Sequence, residues 1–172
     1  MKYVVLACLA LAFGFAFSLP ADAAGARVNA FDRVFGPVHC STRGVCVVTE
    51  NGGGVIDDFK TAARAVNKSS LMVVIAGPCY SACTIFADKA RTHVCITPNA
   101  EFGFHQASLS LIGRNGEIVG SQPDYLQPLP GNSSDIAKWV KAHGGYPSPE
   151  KLLVMPYAQA LQFWNKCSSG KT

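Results

Sequence analysis

An α/β fold built from repeated βαβ units around a mainly parallel sheet is the class this sequence predicts, with helices at its C-terminal end. Two observations carry the prediction. Short, mainly apolar runs ("VCVVTE", "LMVVIA", "HVCIT") alternate with stretches of helical periodicity within about sixty residues. In "LMVVIA" the apolarity is unbroken, as in strands covered on both faces of a parallel sheet.

The chain has 172 residues. Met1 and Lys2 lead into "YVVLACLALAFGFAF" and then Ala21-Asp22-Ala23. A basic start, a short apolar segment and an Ala-x-Ala site have the form of a secretory signal peptide over 1–23. The apolar stretch is short for a spanning helix, which needs about 20 residues. The expectation is an exported protein, periplasmic or secreted, with no membrane contact after cleavage. Residues 24–172 then form a single domain, with a core over 45–108, an excursion over 108–132 and C-terminal helices over 133–167.

Residues 24–44 are expected to be irregular, broken by Gly25, Gly36, Pro37 and Gly44. A strand over 45–50 precedes "NGGG" (51–54). In "VIDDFKTAARAV", Val55, Phe59, Ala62, Ala63 and Val66 fall at helical spacing. Asp57 and Asp58 in the first turn, with Arg64 and Lys68 near the end, suit the helix dipole. A strand over 71–76 leads to "GPCYSACTIFA", where Ala82, Ile85, Phe86 and Ala90 share a helical face. Strands over 93–97 and 101–106 follow, then a hairpin turning at Arg114-Asn115-Gly116. Residues 121–132 read as a loop rich in Pro, Gly and Gln. Ser133 is placed to cap a helix carrying Ile136, Trp139, Val140 and His143, with Gly144-Gly145 as its stop. Ser148-Pro149 is expected to open a further helix that Pro156 interrupts. Trp139, Phe163 and Trp164 are expected in the core.

The net charge of +4 is thinly spread. Without a Lys/Arg run or interleaved aromatics, a nucleic-acid partner has no support. Of the seven cysteines, six lie beyond the leader: Cys40, Cys46, Cys79, Cys83, Cys95 and Cys167. An even number in an exported chain reads as disulfides, and six cysteines allow fifteen pairings. Cys40 and Cys46 are near enough to close a small loop. A bond from Cys79 or Cys83 to Cys95 would pin the intervening helix to the sheet, leaving Cys167 to tie the tail to the remaining cysteine. Zinc ligation by Cys79, Cys83, His93 and Cys95 has tolerable spacing but is disfavoured in an oxidising compartment. No metal and no cofactor is expected.

Three features fall at the carboxyl ends of strands, where parallel sheets bind ligands. These are the glycines at 52–54, Ser81 at a helix start, and His105, 24 residues further on. Ser81 there lies in the positive field of the helix dipole, which favours a developing anion. His105 is placed to accept its proton and return it to a leaving group. A glycine N–H together with that of Ala82 would form an oxyanion hole. Taken alone, Ser81 also fits an N-cap, and His105 a partly buried structural histidine. Cys79 and Cys83 are the rival nucleophiles, less well placed than Ser81. His39, His93 and His143 show no partner pattern.

The order "NGGG…VIDDF", "GPCYSACTIFA" and "TPNAEFGFHQAS" resembles the serine peptidases of the Clp protease proteolytic-subunit type, within the crotonase-like superfamily. The resemblance spans residues 45–108, and is nearest to exported bacterial Clp-like proteins with Ser-Ala-Cys at the nucleophile. It implies a Clp/crotonase-like fold, Ser81 as nucleophile, His105 as base, and oxyanion donors from Gly53 or Gly54 and Ala82. It further implies a hydrolase of peptide or protein substrates, and with no segment that suggests a nucleotide site an ATP-independent one is expected. Relatives assemble through the region after the histidine, which here is the hairpin and loop at 108–132, so the resemblance does not decide whether this chain is a homo-oligomer. Aligning the C-terminal region puts Val154 or Met155 where cytosolic relatives carry the catalytic acid. Asp124 is the preferred substitute, with Asp135, Glu150 or a backbone carbonyl as alternatives. A degenerate relative that binds without catalysis is the other reading.

Overall fold

A computed structural model describes residues 30–36, 40–112, 114–115, 118–123 and 131–168. The expected leader, His39 and Asp124 lie outside the described residues. The first correction is at 30–35, expected to be irregular and found as a helix, α1. Phe31 and Phe35 fall four residues apart on one face of it. They pack at centroid distances of 5.8 and 4.7 Å from Phe86, and Phe35 lies 5.7 Å from Phe59. Burying the Phe31 ring and half-burying that of Phe35 on one short face offsets the breakers downstream.

Strand β1 (Val45–Val48) is followed by helix α2 (Ile56–Asn67) and strand β2 (Met72–Ile75). Phe59, Ala62, Ala63 and Val66 are buried as the periodicity requires. Val55 is not: it precedes the first turn and is 60% exposed. The two strands pair in parallel, Val45 opposite Met72 through Val48 opposite Ile75. Strand β4 (Val94–Ile96), entered through a 3₁₀ turn at Arg91–His93, continues the sheet in parallel. The tail closes it as β9 (Asn165–Lys166), giving the order β1-β2-β4-β9.

Between β2 and β4 the chain leaves this sheet. A short strand not anticipated from the sequence, β3 (Pro78–Tyr80), pairs in parallel with β5 (Glu101–Phe104) in a second, three-stranded sheet. Gly77 permits the crossing, because a Cβ there would lie 1.9 Å from Thr49 O. An isolated parallel bridge from Asn51 to Cys79 joins the end of β1 to the new sheet. Helix α3 (Ala82–Lys89) follows and is buried from Ala82 through Asp88, not on one face only.

The hairpin appears as β6 (Ser108–Ile112) and β7 (Ile118–Pro123), so strand replaces the start of the expected loop. Helix α4 (Ser134–Ala142) buries Ile136, Trp139 and Val140. His143 lies past its end, its Nδ1 2.8 Å from Trp139 O, and is exposed. The C-terminal helices expected over 133–167 reduce to α4 and one turn, α5 (Tyr157–Ala160). Between them lies a strand, β8 (Leu153–Pro156), antiparallel to β5. Two prolines seven residues apart leave little room for a helix, and Leu153 and Met155 alternate inward instead. Trp164 stacks on Phe102 at 4.0 Å and donates to Ala87 O at 2.9 Å, tying the tail to the core.

Three disulfides join Cys40 to Cys46, Cys79 to Cys83 and Cys95 to Cys167. The small loop at Cys40 is as expected. The bond from Cys79 or Cys83 to Cys95 is overturned: Cys95 sits on β4 beside β9, and its register partner Asn165 brings Cys167 within reach. No helix among the described residues is long and apolar enough to cross a membrane.

Candidate active site

Ser81 joins β3 to α3 at φ 55°, ψ −125°, the only non-glycine residue with positive φ among the described residues. A side chain in that region strains against its own backbone, and such strain persists where the surroundings over-determine it. The surroundings here are specific. Ser81 N–H donates to Gly103 O (2.8 Å), while Ser81 O accepts from Thr84 N–H (3.0 Å) and Thr84 Oγ1 (2.7 Å). The hydroxyl makes no capping bond to the helix it precedes. Ser81 stands at the N-cap position without the side-chain bond that makes serine a preferred cap, so capping does not explain the residue there.

Gly53 lies directly against this turn. A Cβ on Gly53 would sit 2.6 Å from Ser81 Cβ, 2.8 Å from Tyr80 O and 2.9 Å from Ala82 N, and its φ is +92°. Only glycine fits. Asn51 builds the approach: its main chain exchanges hydrogen bonds with Pro78 O (2.8 Å) and Tyr80 N–H (2.9 Å). Its side chain donates to Val34 O (2.8 Å) and accepts from Gly53 N–H (2.9 Å). Gly53 N–H is therefore occupied. Gly54 N–H and Ala82 N–H, the other donors expected from the sequence, make no hydrogen bond among the described residues.

His105 leaves the carboxyl end of β5 next to the end of β3 that carries Ser81, since Tyr80 is in register with Gly103. Its Nδ1 lies 2.6 Å from Gln106 O. A carbonyl only accepts, so Nδ1 carries the proton and Nε2 of the neutral ring holds the free lone pair. Gln106 is itself anchored, its N–H to Pro147 O (2.8 Å) and its side-chain amide to Tyr146 O (3.2 Å). No hydrogen bond joins Ser81 Oγ to His105 among the described residues. In substrate-free sites such bonds are often long and tighten on binding.

The candidate acids separate. Asp135 pairs with Arg91 (Nη1 to Oδ2, 2.6 Å) and accepts from the Ser133 hydroxyl. The Arg91 hydrogen bond holds its carboxyl well below the usual range. Arg91 also bonds Asp88, whose buried carboxylate accepts from Ser133, so these four residues fasten α3 to α4. Glu150 is exposed in a turn, its carboxyl lowered by its own N–H and by Ser148, with a smaller contribution from His105. Val154 and Met155 lie on β8, opposite Gly103 and Phe102. Cys79 and Cys83 are bonded to each other and are neither thiol nucleophiles nor zinc ligands. Among the described residues no cluster of His, Cys, Asp or Glu would hold a metal.

Asn51 and Gln106 are the two site residues the sequence reasoning missed in these roles. An Asn leading into a glycine run, and a Gln following the histidine, were the signals at hand.

No protein-family model matches the chain, and no curated protein matches it. Among solved structures it is similar to a serine-to-alanine mutant of a membrane-bound stomatin-specific protease, at 15% identity and a TM-score of 0.38. The match covers 70% of this chain and 61% of that one, so the chain spans less than two thirds of that protein's length. Likeness at this level is too slight to place the chain in that protein's family.

Proposed function

We propose that the chain is an exported, ATP-independent serine hydrolase of peptide bonds or similar acyl groups, with Ser81 as nucleophile and His105 as base. The observation that carries this reading is the Ser81 turn: a positive-φ serine with an uncapped hydroxyl, against glycine backbone, beside a histidine whose Nδ1 is already bonded. Ser81 Oγ attacks the carbonyl carbon while its proton passes to His105 Nε2. The charge that forms on the carbonyl oxygen is met by Gly54 N–H and Ala82 N–H. The bond to the leaving amine or alkoxide breaks as His105 returns the proton to it. Water then attacks the acyl-serine by the reverse proton path, releasing the acid and free Ser81. Gln106 O takes the orienting place that a carboxylate holds in a triad. Three disulfides fit the oxidising compartment an exported chain enters.

The test is pre-steady-state hydrolysis of p-nitrophenyl acetate, without nucleotide, by the oxidised protein. A burst stoichiometric with enzyme and absent from Ser81→Ala supports the reading; no burst and no turnover in a folded sample contradicts it. Two observations favour a second reading, a non-catalytic relative that binds partners through the same cleft. Gly53 N–H is taken by Asn51, and among the described residues no carboxylate is hydrogen-bonded to His105. Saturable peptide binding without turnover, unchanged in Ser81→Ala, would favour it.

A further inference from the structure

We propose that the Cys79–Cys83 disulfide is a positioning clamp that holds the Ser81 turn; its functional consequence rests on the reading of Ser81 as nucleophile. The bond links residues four apart, one on β3 and one in the first turn of α3. It spans Tyr80, Ser81 and Ala82. The loop therefore contains the strained residue and the Ala82 N–H assigned to the oxyanion.

Loop length says what the bond is for. The stabilisation a disulfide supplies by restricting the unfolded chain grows with the loop it closes. Cys95–Cys167 closes a separation of 72 residues and Cys79–Cys83 one of 4, so the latter adds least to global stability. Its effect is local, at a residue whose backbone needs over-determination to persist. The hydrogen bonds to Gly103 and from Thr84 fix the peptide groups on either side of Ser81. The disulfide fixes the bend between them by tying strand to helix. Both cysteines are fully buried, so neither sulfur meets substrate and the role is positional. Both cysteines belong to the buried apolar cluster that also contains Phe86, Phe102 and Met155.

The experiment compares oxidised wild type, Cys79→Ala/Cys83→Ala, and Cys95→Ala/Cys167→Ala as control, by amide hydrogen exchange and by fluorophosphonate labelling kinetics. In the first variant, exchange at Ser81 and Thr84 is expected to rise about tenfold or more, with amides of β1 and β2 unchanged. Its maximal labelling rate is expected to fall about 10- to 100-fold while the half-saturating probe concentration holds, since misplacing a nucleophile costs rate and not binding. The control is expected to melt earlier yet label at the wild-type rate when folded. Unchanged exchange at residues 81–84 overturns the clamp whatever the labelling. Cys79→Val/Cys83→Ala restores the lost volume with methyl groups, and if neither variant folds, the bond is a global determinant and the proposal is wrong. Faster exchange in a protein whose wild type never labels keeps the clamp and overturns the nucleophile instead.

Discussion

At the scale of single residues, the site depends on atoms that carry no side-chain letter. Ser81, His105 and the glycine run are legible in the sequence because each role proposed for them demands a residue type at a strand end. The acceptor on His105 is a main-chain carbonyl of Gln106, which any residue would offer, so no pattern of letters announces it. Which of three glycines matters is equally silent in the sequence and plain in the structure. Gly52 has open space around its missing Cβ, whereas Gly53 meets Ser81 and Ala82 inside 3 Å. Gly53→Ala is accordingly expected to destabilise by roughly 1–3 kcal/mol and to suppress labelling of Ser81, with Gly52→Ala within about 0.5 kcal/mol of wild type. Chemical denaturation of both variants checks this. Because Gln106 O already fixes the tautomer, Glu150→Gln is expected to change kcat/KM less than about threefold. A loss of a hundredfold or more would assign Glu150 the orienting role instead.

At the scale of elements, helices α2 and α4 are close to their sequence expectation because their periodicity is local, whereas α3 keeps its span but is buried on every side. Strands β3 and β8 were not legible. Three residues such as "PCY" have no period, and β8 takes its shape from pairing with β5, a contact about fifty residues away in sequence. That pairing also fixes the position aligned with the acid of cytosolic relatives: it puts Val154 opposite Gly103 and buries Met155, so the aligned position belongs to a strand. The junction of α3 with α4 has its own pH signature. Arg91 lowers the Asp135 carboxyl in the folded state, so its stabilisation is complete above the unfolded value of about 3.9. It is lost as pH falls below that value toward the folded one. Thermal melts of wild type and Asp135→Asn should therefore differ at pH 6 and converge steadily as the pH is lowered from 4. A constant difference down to pH 2 would contradict the pairing.

At the scale of the molecule, composition predicted disulfides and could not predict partners, since connectivity depends on which strand ends meet. The parallel placement of β9 on β4 is what joins Cys167 to Cys95. Closing a separation of 72 residues, this bond is expected to contribute about 4 kcal/mol, against about 2 for Cys40–Cys46, whose separation is 6. Denaturation of the two paired-alanine variants measures the order, and equal losses would refute it. The four-stranded sheet and the Ser81-bearing sheet meet at the Asn51–Cys79 bridge, beside the glycine loop, the Ser81 turn and the Cys79–Cys83 disulfide. That convergence is the central claim, and covalent labelling tests it most directly. Oxidised protein is treated with a fluorophosphonate at neutral pH and the modified residue mapped by mass spectrometry. The account predicts one adduct per chain on Ser81, lost in Ser81→Ala and strongly slowed in His105→Ala. A folded protein left unmodified, or modified elsewhere at the same rate in Ser81→Ala, would contradict it.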